Sequence, residues 1–145
     1  MANSPVRVRR GNVVYRSRAE NALANWLNER KIKFDYETIK LPYTTRVVSG
    51  FCDKCGNKKC SQRHVYLLDF WFPKHEFGIE LKGRLTGHDR DKMVAVKRDN
   101  PEVNIKMLFL SNNRLHPRTE KRYMDWAAEA GYDASVKIPD MRWFG

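Results

Sequence analysis

Apolar residues along this chain fall into short blocks whose spacing switches between helical and extended. In SRAENALANWLNER (17–30), Leu23, Trp26 and Leu27, with Ala19 and Ala22, recur at helical spacing and predict a helix. KFDYETIKL (33–41) alternates through Phe34 and Tyr36 and predicts a strand. Pro42 interrupts that strand, and TTRVV (44–48) resumes extended character. VYLLDFWF (65–72) and FGIEL (77–81) predict two strands around a PKHE turn. Residues 89–99, with Met93, Val94 and Val96 apolar and Pro101 just beyond, predict a second helix. IKMLFL (105–110) is short enough for a buried strand, and TEKRYMDWAAEA (119–130) predicts a last helix stopped by Gly131. The order of helix, strands, helix, strand, helix describes an α/β (α+β) domain with a central mixed sheet.

Length and charge narrow the picture. A chain of 145 residues suits one domain with a real core. The reading is a folded domain over 17–145 behind a basic arm at 1–16 carrying Arg7, Arg9, Arg10 and Arg16. No apolar run approaches the roughly 20 residues of a membrane span. The N-terminal MANSPVRVRRG lacks the apolar stretch of a signal peptide, so a cytoplasmic protein with no membrane partner is expected. The chain holds 28 Lys and Arg against 17 Asp and Glu, a net charge of +11. Such a surface draws polyanions by releasing their counterions, so nucleic acid is the first partner to consider.

All three cysteines fall in a Gly- and Lys-rich insertion at 50–65. Cys52, Cys55, Cys60 and His64 are spaced as the ligands of a zinc knuckle, with Gly56 suited to its tight turn. Without a secretion signal, clustered thiols argue for structural Zn²⁺ rather than disulfides; the alternative is three reduced cysteines brought together by chance. Lys54, Lys58, Lys59 and Arg63 stud the insertion and either touch phosphates or are plain solvated charge.

The PKHE turn sets a register. If 73–76 form the loop, Phe72 faces Phe77 and Asp69 faces Glu80, with Cβ atoms about 4.5–5.5 Å apart. Strand periodicity puts Lys82 on the same face, about 6.6 Å along, while Ile79 and Leu81 point into the core. Opposed carboxylates in an apolar hairpin repel, and a divalent cation such as Mg²⁺ would compensate them. Lys82 could then orient water or stabilise charge developing on a phosphate. The alternative is a solvated polar face with a Glu–Lys pair. Glu20 borders the buried face of the first helix and could reach the same site. Ser17 and Glu20 also spell S-x-x-E, and pattern alone favours a capping box. His75 lies in the turn; His88 and His116 read as surface residues.

These residues resemble a known family, the phage endonuclease I Holliday-junction resolvases with a PD-(D/E)XK restriction-endonuclease-like core. The matching stretches are the helix entry with Glu20, IKFDYETIKLPY (32–43), DFWFP (69–73), IELKG (79–83), and the DRDK and NPEVNIKMLF stretches within 89–109. The resemblance covers roughly residues 10–110. It implies Glu20, Asp69, Glu80 and Lys82 as the catalytic set, reversing the capping preference for Glu20. It implies Mg²⁺ or Mn²⁺ held by Asp69, Glu80 and Glu20, and hydrolysis of branched DNA recognised by shape. It also implies a domain-swapped homodimer in which the segment near Pro42–Val48 bridges two halves and Glu20 of one chain meets Asp69, Glu80 and Lys82 of the other. Arg7, Arg9, Arg10, Lys54, Lys58, Lys59, Arg84, Arg90 and Lys92 are the DNA-binding candidates. The zinc insertion departs from the family pattern. Two alternatives remain: a mismatch-repair or restriction-type nuclease of the same core, and a non-catalytic zinc-containing DNA-binding protein.

Overall fold

A computed structural model describes residues 8–10, 13–46 and 61–145. Strands β1 (Val8–Arg10) and β2 (Val13–Tyr15) pair antiparallel, in keeping with their β-branched content. Helix α1 (Arg18–Glu29) follows, and Ser17 caps it by accepting the Glu20 amide at 3.1 Å. Its buried face holds Glu20, Leu23, Ala24 and Leu27. Ala22, expected on that stripe, is exposed, because Ala24 stands one helical turn from both Glu20 and Leu27 and takes the place.

Seven further strands follow: β3 (Asp35–Tyr36), β4 (Lys40–Arg46), β5 (Ser61–Leu67), β6 (Phe70–Phe72), β7 (Phe77–Lys82), β8 (Ile105–Phe109) and β9 (Ala134–Val136). Five of them form a sheet in the order β3-β6-β7-β8-β9. It is antiparallel through β7 and parallel from β7 to β9, the mixed sheet expected. The other two, β4 and β5, make a separate ribbon, with Pro42 paired opposite Val65. Pro42 therefore does not break its strand. In a two-stranded ribbon one edge of each strand needs no ladder bond, so a missing N–H is tolerated. The apolar run 65–72, by contrast, is not one strand. It bends at Leu68–Asp69, leaving β5 to pair with β4 and β6 to pair with β7.

The sheet separates two cores. On one face, α1 packs Leu23, Ala24 and Leu27 against Phe70, Phe72, Phe77, Ile79 and Leu108. On the other, Met107 and Phe109 meet Met93 and Val96 of α2 (Gly87–Asp99), Trp126 and Ala127 of α3 (Tyr123–Ala130), and Tyr66 of the ribbon. Alternation along β7 and β8 explains how one strand serves both layers. Helix α2 begins two residues earlier than its apolar pattern suggests. Thr86 accepts the Asp89 amide at 3.1 Å, and the Asp89 carboxylate accepts the Thr86 amide at 3.0 Å. Helix α3 starts at Tyr123 rather than residue 119 and ends, as expected, at Gly131, whose φ is +85°. The closing segment, which no periodicity marks, supplies β9 and a 3-10 turn (Met141–Phe144) whose Phe144 ring packs against Phe72 and Phe77. No helix among the described residues is long and apolar enough to cross a membrane.

Candidate active site

The hairpin register is the expected one: Phe72 faces Phe77 and Phe70 faces Ile79. The ladder stops there, and Asp69 occupies the bend just beyond it. One Asp69 oxygen accepts the Leu81 amide at 3.0 Å, tying the bend to β7. Glu80 and Lys82 project from the same side of β7, with Lys82 Nζ 3.6 Å from Glu80 Oε1.

Around Asp69 the chain gathers acid. Carboxylate oxygens of Glu20, Glu37 and Asp69 lie within 4.8 Å of one another. Glu20 is 8% exposed and Asp69 4%, so little water shields the repulsion. The Tyr36 hydroxyl donates to Glu20, and the Ser17 hydroxyl lies 3.2 Å from its other oxygen. The Ser17 cap and an inward-reaching Glu20 are thus both realised: Ser17 takes the backbone amide while the Glu20 carboxylate turns to Tyr36. Glu37 is brought in by its backbone, which sits at φ +53° and donates its amide to the Asp69 carbonyl at 3.0 Å. A non-glycine residue in that region stores strain of about 1–3 kcal/mol, a cost that recurs at functional sites. The Arg16 guanidinium pairs with Glu37 and approaches Asp69 at 3.6 Å.

Glu80 has a different escort. It is 5% exposed, and the buried Tyr66 hydroxyl donates to it. Lys92 stands 5.0 Å over the Tyr66 ring. Lys82 bridges Glu80 to Asp89 of the α2 cap, 3.2 Å from the latter. Asp69 belongs to both groups, since the Glu80 charge also acts on it.

The electrostatics follow from this packing. Burial pushes the Asp69 carboxyl well up, and the Glu80 charge pushes it further, against the pull of the Leu81 amide. Burial also raises Glu80, although Lys82, Tyr66 and Lys92 favour its ionised form. For Lys82, burial works against the charge, but Glu80 and Asp89 outweigh it and the ammonium titrates above its ordinary range. The two carboxylates thus favour the ammonium form of Lys82. Three clustered hard-oxygen donors, two of them nearly buried and one reluctant to ionise, fit a divalent cation such as Mg²⁺.

Of the four sequence candidates, Glu20 meets Asp69 within one chain, while Glu80 pairs with Lys82 on β7 and is not among the three clustered carboxylates. Glu37, Arg16, Tyr36 and Tyr66 escaped sequence reading, since no local spacing marks them. Asp89 had a signal in the T-x-x-D cap. His75 contacts the Phe144 carbonyl at 2.9 Å, at the C-terminal turn rather than among the carboxylates. Of the zinc candidates, Cys52, Cys55 and Cys60 lie outside the described residues. His64 stands on β5, with Nε2 2.8 Å from the Thr45 hydroxyl and its ring stacked on Tyr43. Of the DNA-binding candidates, Arg7, Lys54, Lys58 and Lys59 also lie outside. Arg9 and Arg10 form part of β1, Arg84 is exposed, and Arg90 donates to the Leu85 carbonyl at 3.1 Å.

Comparison with known proteins adds independent information. A family model described as phage endonuclease I matches residues 1–144, well past the stretch over which the resemblance is legible by eye. The endodeoxyribonuclease 1 of Enterobacteria phage T3 is 29% identical over 118 residues, 81% of this chain and 68% of that protein. The endonuclease I of Escherichia phage T7 is 26% identical over 130 residues, 89% of this chain and 77% of that protein.

Proposed function

The chain belongs to the phage endonuclease I family and is a DNA endonuclease; on that premise we propose that it cleaves branched DNA, such as four-way (Holliday) junctions, by metal-dependent phosphodiester hydrolysis at Asp69. The observation that carries the reading is the buried meeting of Glu20, Glu37 and Asp69 beside the Glu80–Lys82 pair.

Asp69 and Glu20, with Glu80 from the facing strand, are the proposed ligands of Mg²⁺ or Mn²⁺, and Glu37 extends the set. A bound divalent ion supplies charge for a phosphate oxygen and a more acidic water. The protein does the rest. Lys82, held by Glu80 and Asp89, presents a positive charge to the phosphate as negative charge develops on it. Tyr66 fixes the Glu80 carboxylate from behind, and the Leu81 amide fixes Asp69. Arg16 offsets the acid cluster from outside the sheet.

Two further parts belong to this reading. Cys52, Cys55, Cys60 and His64 hold a structural Zn²⁺, for which His64 exchanges its Thr45 contact. The protein acts as a homodimer in the host cytoplasm, with the N-terminal part exchanged. In such an exchange the pairing of β4 with β5 forms between chains. Two coupled sites suit symmetric cleavage of a junction.

The decisive experiment compares a synthetic four-way junction with a linear duplex of the same sequence, with Mg²⁺ and with EDTA. The expected result is junction cleavage that requires the metal. Equal cutting of the duplex would instead favour a restriction- or repair-type nuclease, and binding without cleavage a DNA-binding protein.

A further inference from the structure

Tyr36 joins two regions. Its hydroxyl donates to Glu20, and the same residue lines a cavity of about 640 Å³ that the cleavage chemistry does not use. Tyr15, Ile32 and Phe34 give that cavity apolar walls, and Lys31 and Lys33 stand at it. Lys31, Ile32 and Lys33 also line a second cavity of about 320 Å³, together with Lys74 and His75.

The ridge between the two cavities is built rather than loose. Lys31 has φ +57°, its amide donates to the Asn28 carbonyl at 3.1 Å, and the Ile32 amide donates to Leu27 at 3.0 Å. Lys31, Lys33 and Lys74 are all exposed, and none forms an ion pair among the described residues. The one carboxylate lining the larger cavity is Asp35, itself exposed.

An apolar, aromatic wall beside uncompensated cations matches one ligand chemistry well. A free anion needs no apolar wall, and an apolar small molecule needs no lysines. A nucleotide uses both, its base and sugar on the rings and its phosphates on the ammonium groups. We infer that the cavity is a subsite for one nucleotide of the DNA strand leading away from the cleaved bond, with its base and sugar against Phe34 and Tyr36 and its flanking phosphates on Lys31, Lys33 and Lys74. The inference rests on reading the carboxylate cluster as the cleavage site, which Tyr36 connects directly to the cavity.

The test is a triple variant, Lys31→Gln, Lys33→Gln and Lys74→Gln, titrated against a four-way junction and a linear duplex without divalent metal over a range of NaCl. Loss of three phosphate contacts should weaken binding by about 10-fold or more and flatten the dependence of log Kd on log salt by roughly 2–3. A control triple, Arg118→Gln, Lys121→Gln and Arg122→Gln, removes the same charge ahead of α3 and should change both quantities less. Equal effects of the two triples, or an unchanged slope, would overturn the subsite. A second arm places single abasic sites along the strand beside the cut. One position should weaken wild-type binding several-fold; a flat scan overturns the seat for a base. If the wild type binds junction and duplex alike, the branched-DNA reading fails, while the charge comparison still tests the subsite on the duplex.

Discussion

Asp69 and Glu80 carry most of the weight of the proposed chemistry, and both are charges the fold holds at a cost. Asp69→Asn and Glu80→Gln should each abolish cleavage while leaving junction binding intact or tighter, because each removes negative charge facing a polyanion. Lys82→Ala should slow cleavage by more than ~100-fold, as loss of one preorganised charge stabiliser does. Single-turnover cleavage beside a gel-shift titration separates the two effects; parallel loss of binding in a folded variant would argue against catalysis. The raised carboxyls also set a pH dependence. Unfolded, both groups ionise near pH 4, at about 3.9–4.3; folded, burial moves both upward. The unfolded chain therefore gives up protons first. Stability from these groups is complete below their ordinary values and is lost as pH rises through the folded ones. The Tm of an Asp69→Asn, Glu80→Gln double variant, relative to wild type in EDTA, should climb from pH 4 toward neutrality. Mg²⁺ should narrow that gap by raising the wild type alone.

At the scale of elements, the close approach of β7 to the bend that carries Asp69 depends on a residue without a side chain. A Cβ at Gly78 would collide with the Leu68 side chain and come within 2.9 Å of the Phe70 carbonyl. Since backbone cannot yield as a flexible side chain can, Gly78→Ala should cost about 1–3 kcal/mol, read as a lower urea midpoint. It should also reduce cleavage more than its stability loss explains, because Leu68 and Phe70 flank Asp69. An unchanged midpoint would mean that the bend relaxes freely. The α2 cap has a parallel role, since its Asp89 both closes the helix and holds Lys82.

For the whole molecule, the proposed zinc insertion and the proposed dimer both make predictions. Elemental analysis of protein purified without chelators should find one Zn²⁺ per chain, and Cys55→Ser should lose it; metal-free protein would remove the zinc reading. The dimer has a sharper test in mixed chains. One Glu20→Gln chain combined with one Lys82→Ala chain gives, if α1 is exchanged, one site with both defects and one intact. Mixtures should then nick one strand of a junction although neither variant does so alone. Within a single chain Glu20 already reaches Asp69, so self-contained sites are the competing outcome, and they leave the mixture inactive.

How much of this was written locally in the chain differs by element. The PKHE turn by itself determined the β6–β7 register, because side chains alternate strictly along a strand and a short loop leaves few pairings. Leu23 and Leu27 located α1, and Gly131 located the end of α3, because helical spacing and a left-handed cap are local properties. D-x10-E-x-K marked the candidate site, because strand alternation places Glu80 and Lys82 on one side of β7. The run 65–72 could not reveal its bend, since it is apolar on both faces and only the competing partners β4 and β7 split it. The tail became β9 because its partner, β8, lies elsewhere in the sequence. Glu37 joined the acid cluster through a positive φ and a hydrogen bond from its amide to the Asp69 carbonyl, and Tyr66 reaches Glu80 because the ribbon packs against the sheet. Periodicity determined which face each residue takes; long-range packing decided which residues meet there, and with them the charge state of the site.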